Sequence, residues 1–461
     1  MSSIYDLHPE ILSIIFENAK NMTDVIPLTY GTNVGRNQTV AFEVVATKIC
    51  SYFRDIALAT PRLWTSIHVH GASRSDNIVE MLARSCDCWL DIRIDLAVQN
   101  LQMEATRLDS IIEKLLLHSL RWRTLCIGYR YERRDHPVVL LLCTASAPGL
   151  QHLSITVDDV ADADRSLINQ TVSLPHIFKD GTPKLGFIRL RGFAIQLFRP
   201  PLTTVVTLHL DHTRDIPIQY STLKEMLTSS PYLAHLSMHG DILAPGGWTS
   251  QRRVVSLPVL RSLRVCSISG EIFAGMMKCI DAPNLESLTL KKVQECDLNP
   301  LWNTLDEIKF ETLKTLSLIE FDLSTSTWRH IFETFQQINT FSSLDDYAGF
   351  RDSIFIGALL EPSVHGLNGV QYVPWPKLKT LCLGLDLYDN DQNLIKKLIA
   401  VRKELGFPIS RCIFRIGAED MEDLLPLQLE SEADFEIKFI AEEVIWPDNN
   451  THIDHDDILF L

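Results

Sequence analysis

Pro283-Asn284-Leu285-Glu286-Ser287-Leu288-Thr289-Leu290-Lys291 is the stretch on which the fold turns. A proline introduces leucines spaced L-x-x-L-x-L. In an extended strand alternate side chains point to opposite faces, so Leu288 and Leu290 share one face and Thr289 takes the other. On either side the pattern recurs at Leu260, Leu263 and Val265 and at Leu313, Leu316 and Leu318. Further out it appears at Leu150, Leu153 and Ile155; Leu185, Ile188 and Leu190; Val205, Leu208 and Leu210; Leu233, Leu236 and Met238; and Leu378, Leu381 and Leu383. Weaker copies open with tryptophan at Trp64, Trp89 and Trp122. From Leu208 the middle position advances in steps of 28, 27, 25 and 28 residues. Self-similarity at that period marks a solenoid, each repeat one strand and its return.

The period is that of leucine-rich repeats. It leads us to expect an α/β fold over residues 67–416, with parallel strands on a concave face and irregular helices on a convex one. Leu223 to Leu227, Ile272 to Cys279 and Trp328 to Phe335 have helical spacing and suit the returns. Two steps are long: 35 residues from Leu153 to Ile188, and 65 from Leu316 to Leu381. The second has room for two repeats or for one with a long insertion. Gly349, Gly357, Pro362, Gly366 and Gly369 make residues 339–372 read as a loop rising off the solenoid, either functional or merely tolerated.

The chain opens differently. Leu7-His8-Pro9-Glu10-Ile11-Leu12 places proline and an acid where a helix would start. Ile11, Leu12, Ile15, Phe16 and Ala19 then fall on one helical stripe, and Val45, Ile49, Phe53, Ile56 and Ala57 on a second. Two short helices over residues 1–66, with a loop at 20–39, carry more apolar surface than they can hide on each other. Their residues resemble an F-box of the fungal type that is joined to leucine-rich repeats. The matching positions are Leu7, Pro9, Glu10, Ile11, Leu12, Cys50, Arg54, Ile56, Ala57, Pro61, Leu63 and Trp64. His8, Ile49, Ser51 and Phe53 depart from the family pattern, Ile49 and Phe53 without loss of apolar character. The resemblance implies a substrate receptor of an SCF ubiquitin ligase, non-catalytic and without cofactor. Its F-box would bind the Skp adaptor, and through it cullin, using those residues other than Arg54, with Ile15, Phe16, Ile49 and Phe53. The alternative is a repeat-based interaction scaffold with no ligase role, in which the helices only cap the repeats.

Composition fits a folded protein, 46% hydrophobic and 22% charged. The charge is uneven. Of 58 acidic residues 14 lie in 417–461, beside the single cation Lys438, which leaves 42 cations against 44 acids in the rest. A near-neutral body argues against nucleic acid as a partner. The 417–461 stretch reads as an acidic cap, apolar at Phe435, Ile437, Phe439, Val444, Ile445 and Trp446, followed by a tail. The longest apolar run, Val138 to Cys143, is too short to cross a membrane, and no basic apolar signal region opens the chain. An intracellular location, cytoplasmic or nuclear, is expected. The ten scattered cysteines then read as buried reduced thiols, and the Asn-x-Thr triplets carry no glycosylation meaning.

The strand positions between the leucines supply the expected substrate face. Arg189, Arg191, His209, Asp211, His239, Arg264 and Lys291 form a column rich in cations, suited to an acidic or phosphorylated protein segment. The plain alternative is a solvated face of random charge. Phosphate-cradling, hydrolase-elbow and zinc-helix motifs are missing. His235 and His239 are four apart, but on a strand. Cys86 and Cys88 read as extended, the His452 to Asp457 run as a solvated tail, and the Arg130, Arg133 and Arg134 knot as a surface turn.

Overall fold

The computed structural model describes residues 4, 7–23, 41–70, 73–96, 105–130, 137–158, 176–179, 181–211, 218–240, 242–243, 254–266, 271–302, 311–344, 351–360, 363–364, 371–384, 389–416, 434–439 and 446. They fall into two compact units, within Met1–Val205 and Val206–Asn450.

The first unit begins with helices α1 (Pro9–Thr23), α2 (Phe42–Ile49) and α3 (Ser51–Leu58) and a 3-10 turn at Pro61–Trp64. Helix α1 runs through Lys20 to Thr23, so residues 20–23 are helical and not loop; residues 24–39 of the expected loop lie outside the described residues. The second expected helix is two. Cys50 is extended, with φ −157°, and its Sγ accepts the Phe53 N–H at 3.4 Å, which ends α2 and caps α3. Strands β1 (Ser66–His70), β2 (Leu90–Asp95), β3 (Trp122–Arg130), β4 (His152–Asp158) and β5 (Phe187–Gly192) follow, with helices α4 (Ser75–Arg84), α5 (Ala105–Leu116), α6 (Pro137–Thr144) and α7 (Ala194–Leu197). The strands pair in parallel, with Ile67, Ile92, Leu125, Leu153 and Ile188 in one register row. Because β4 pairs directly with β5, the 35-residue step adds no strand to the sheet.

The second unit repeats the scheme. Its strands are β6 (Thr207–Asp211), β7 (His235–His239), β8 (Ser262–Cys266), β9 (Ser287–Lys291), β10 (Thr315–Ile319), β11 (Thr340–Leu344), β12 (Thr380–Gly384), β13 (Arg411–Ile416) and β14 (Asp434–Phe439). Its helices are α8 (Tyr220–Thr228), α9 (Glu271–Cys279), α10 (Glu295–Trp302), α11 (Thr325–Thr334), α12 (Arg351–Leu360) and α13 (Asp389–Glu404), so all three expected returns are helical. These nine, all in the main sheet, pair in parallel; among the described residues the two-residue strands Ser363–Val364 and Gln371–Tyr372 form a separate antiparallel pair. Leu208, Leu236, Leu263, Leu288 and Leu316 stand side by side, so the sequence period is the register of the sheet.

Two expectations are corrected here. The stretch 339–372 is not one loop: β11 and α12 make it a repeat, and β11 pairs with β10 on one side and β12 on the other. Phe341 takes the leucine position, packed against Phe355 at 4.4 Å and Trp375 at 5.2 Å between ring centroids. Beneath them Arg402 is buried and donates to the carbonyls of Pro374 (2.9 Å), Trp375 (2.8 Å) and Phe407 (3.2 Å). Burial lowers its pKa to about 10, which still leaves it charged at neutral pH. The 417–461 stretch is more than a cap, since β14 pairs with β13 and extends the sheet by one strand.

The cysteines divide as well. Cys266, Cys279, Cys382 and Cys412 are buried, whereas Cys86 and Cys296 are exposed. Cys86 stands in a turn with φ +47°, not on a strand. Among the described residues no helix is long and apolar enough to cross a membrane.

Candidate functional site

The expected adaptor residues separate into an interior and an exterior set. Leu12, Phe16, Phe53, Ile56, Ala57, Leu63 and Trp64 form one closed cluster with Ala46, and Leu7, Cys50 and Met81 pack against it. The Phe16 ring meets Phe53 edge-on at 5.2 Å. Burial of each large member stabilises by about 1.5–3 kcal/mol, so these side chains build the fold and offer no surface to a partner. Polar groups fasten the cluster: the Trp64 indole N–H donates to Ala57 O at 2.9 Å, Tyr52 O–H to Leu7 O at 2.9 Å, and Lys20 Nζ to Leu63 O at 2.5 Å. Lys20 also lies 3.7 Å from the Glu43 carboxylate, both of them buried. The Arg84 guanidinium of α4 lies 4.3 Å over the Trp64 ring, joining the helices to the first repeat.

Ile11, Ile15 and Ile49 face outward, as do Pro9 and Glu10, while Pro61 is half-buried. They have unexpected company in Ile14, Val45 and Leu58, with Ile14 59% and Ile49 58% exposed. On α1 the exposed Ile11 and Ile14 lie about 100° or more around the axis from the buried Leu12, Phe16 and Lys20, while the exposed Ile15 lies about 60° from Leu12 and about 100° or more from the other two. This helix is therefore apolar on two faces and only one is filled. On α2, Val45 and Ile49 at i and i+4 share an exposed strip about 60–100° around the axis from the buried Ala46.

The expected substrate residues do stand opposite the leucines. In the second unit, register sets His209, Ser237, Arg264 and Thr289 in one row and Asp211, His239, Cys266 and Lys291 in the next. Arg189 and Arg191 occupy the corresponding positions on β5, beside Ser154 and Thr156 of β4. They are not exposed, which sets aside the alternative of a solvated face and leaves the column covered: Arg189 and His209 are 1% exposed and Arg264 5%, Asp211 and Lys291 are buried too, and Arg191 and His239 are half-buried. Lys291 is 3.2 Å from the Glu320 carboxylate. Burial pushes the neighbouring Cys266 thiol up to about 11 despite Lys291 and Lys292, and a thiol so placed stays protonated at neutral pH.

What lies over Arg264 is Trp446. Its ring is 4.3 Å beneath the guanidinium and meets His209 and His235 edge-on at 5.1 and 5.8 Å. The indole N–H donates to Ser262 Oγ at 2.9 Å. Trp446 read in the sequence only as an apolar residue of the acidic stretch. Nothing local signals this contact, because the partners are 184 residues apart.

No family model matches this sequence, and no curated protein matches it.

Proposed function

We propose that the chain is a non-catalytic substrate receptor of an SCF-type ubiquitin ligase, docking the Skp adaptor through α1 and α2 and a target protein through its leucine-rich repeats. One observation carries the reading: five large aliphatic side chains, Ile11, Ile14, Ile15, Val45 and Ile49, remain exposed on two helices whose other faces are already packed. Exposed apolar faces of that kind fit partner surfaces. The F-box resemblance names the partner, and cullin joins through the adaptor. Such a receptor works inside the cell, and the repeats are the part of the chain left to take a protein target. Catalysis is left to the other subunits.

The closed cluster around Leu12, Phe16, Phe53 and Trp64 favours a second reading, in which the helices cap the repeats of a plain scaffold and join them through Met81 and Arg84. Adaptor pull-down with surface variants separates the two. Ile15→Asp together with Ile49→Asp alters exposed residues, so the fold should persist while adaptor capture falls by at least tenfold. Undiminished capture would show that this face is not the dock, and capture by neither the variant nor the parent chain would leave the scaffold.

A further inference from the structure

We propose that the polar face of the sheet in the second unit carries an indole-binding site, built from His209, His235, Ser262 and Arg264, which Trp446 fills in cis and which takes a tryptophan-bearing acidic segment of a target protein. Each part of the indole meets a group suited to it. A cation lies over one ring face, two imidazoles contact the ring, and a hydroxyl accepts the N–H. Trp446 is 6% exposed, and the side chains recorded against its ring differ from the apolar cluster around Trp64. These four residues are polar, and water solvates them well when the ring leaves, so occupancy can exchange.

The sequence around the occupant defines the ligand class. In sequence, Glu442-Glu443-Val444-Ile445-Trp446-Pro447-Asp448 has carboxylates before and after the tryptophan, and the cation against the Trp446 ring is Arg264. Trp446 follows the end of β14 by seven residues. Trp446 competes as part of the same chain, so cis occupancy prevails until a partner adds contacts of its own. As a target site it rests on the receptor reading. As a peptide site it does not, because adaptor docking uses other residues and either can fail without the other.

The test is fluorescence anisotropy with a labelled synthetic peptide of residues 442–449, titrated into the full-length chain. The Trp446→Ala chain should bind it at least tenfold more tightly than the parent, a peptide with alanine for tryptophan should not bind, and adding Arg264→Gln should abolish the gain. Trp446→Phe keeps a ring over Arg264 but loses the bond to Ser262, and should give a gain of about threefold. The proposal is overturned if the folded Trp446→Ala chain binds no better than the parent. It is equally overturned if that chain does not fold and Trp446→Phe shows no gain, since Trp446 would then be ordinary core.

Discussion

Cys266 and Cys412 show how far a single position can be read. Both fall on strands, Cys412 in the leucine row beside Leu381 and Cys266 on the opposite face beside Lys291. Alternation told which face each takes. It did not tell that the polar face is buried as well, because the cover over Arg264 comes from Trp446, far along the chain. Burial raises both thiols from an ordinary 9.0 to about 11. Between those values the unfolded chain releases protons that the folded chain keeps, so stability is full below pH 9 and declines as pH rises toward 11. Urea midpoints between pH 8 and 11 should fall, and at pH 8 iodoacetamide should label exposed Cys86 well before Cys266 or Cys412. Equal labelling rates would contradict the buried placement.

Whole elements were legible where one residue type repeats, and lost where another replaced it. The strands from β6 to β10 follow from their leucines. Strand β11 does not, because Ile338-x-x-Phe341-x-Ser343 puts an aromatic and a hydroxyl where leucines stand elsewhere, matched to Trp375 and Phe355 brought in from later segments. Likewise the stripe on α1 was visible, but not its division into two faces; isoleucines at 11, 14 and 15 surround more of the helix than one packed neighbour can cover. Lys20, read as the start of a loop, instead pins α1 to α2 and the turn through Glu43 and Leu63. Removing one member of a buried ion pair strands the other, at about 3–5 kcal/mol. Lys20→Met alone should therefore lower the urea midpoint markedly, and adding Glu43→Leu should restore most of it. An unchanged midpoint for the single variant would mean the pair does not hold these helices.

At the scale of the whole molecule, apolar surface decides the account. The leucine rows in each unit are buried, while the first helices keep an aliphatic face outward after their own cluster is packed. A family resemblance in Leu7 to Trp64 pointed to docking there, though largely through side chains that turned out to be interior; the docking face proposed here shares with it Ile11, Ile15 and Ile49. The direct measurement is light scattering coupled to size-exclusion chromatography on the full chain, expressed alone and together with the Skp adaptor. A one-to-one complex, formed by a chain that aggregates when alone, is the predicted result. A monodisperse lone chain that elutes apart from the adaptor would contradict it.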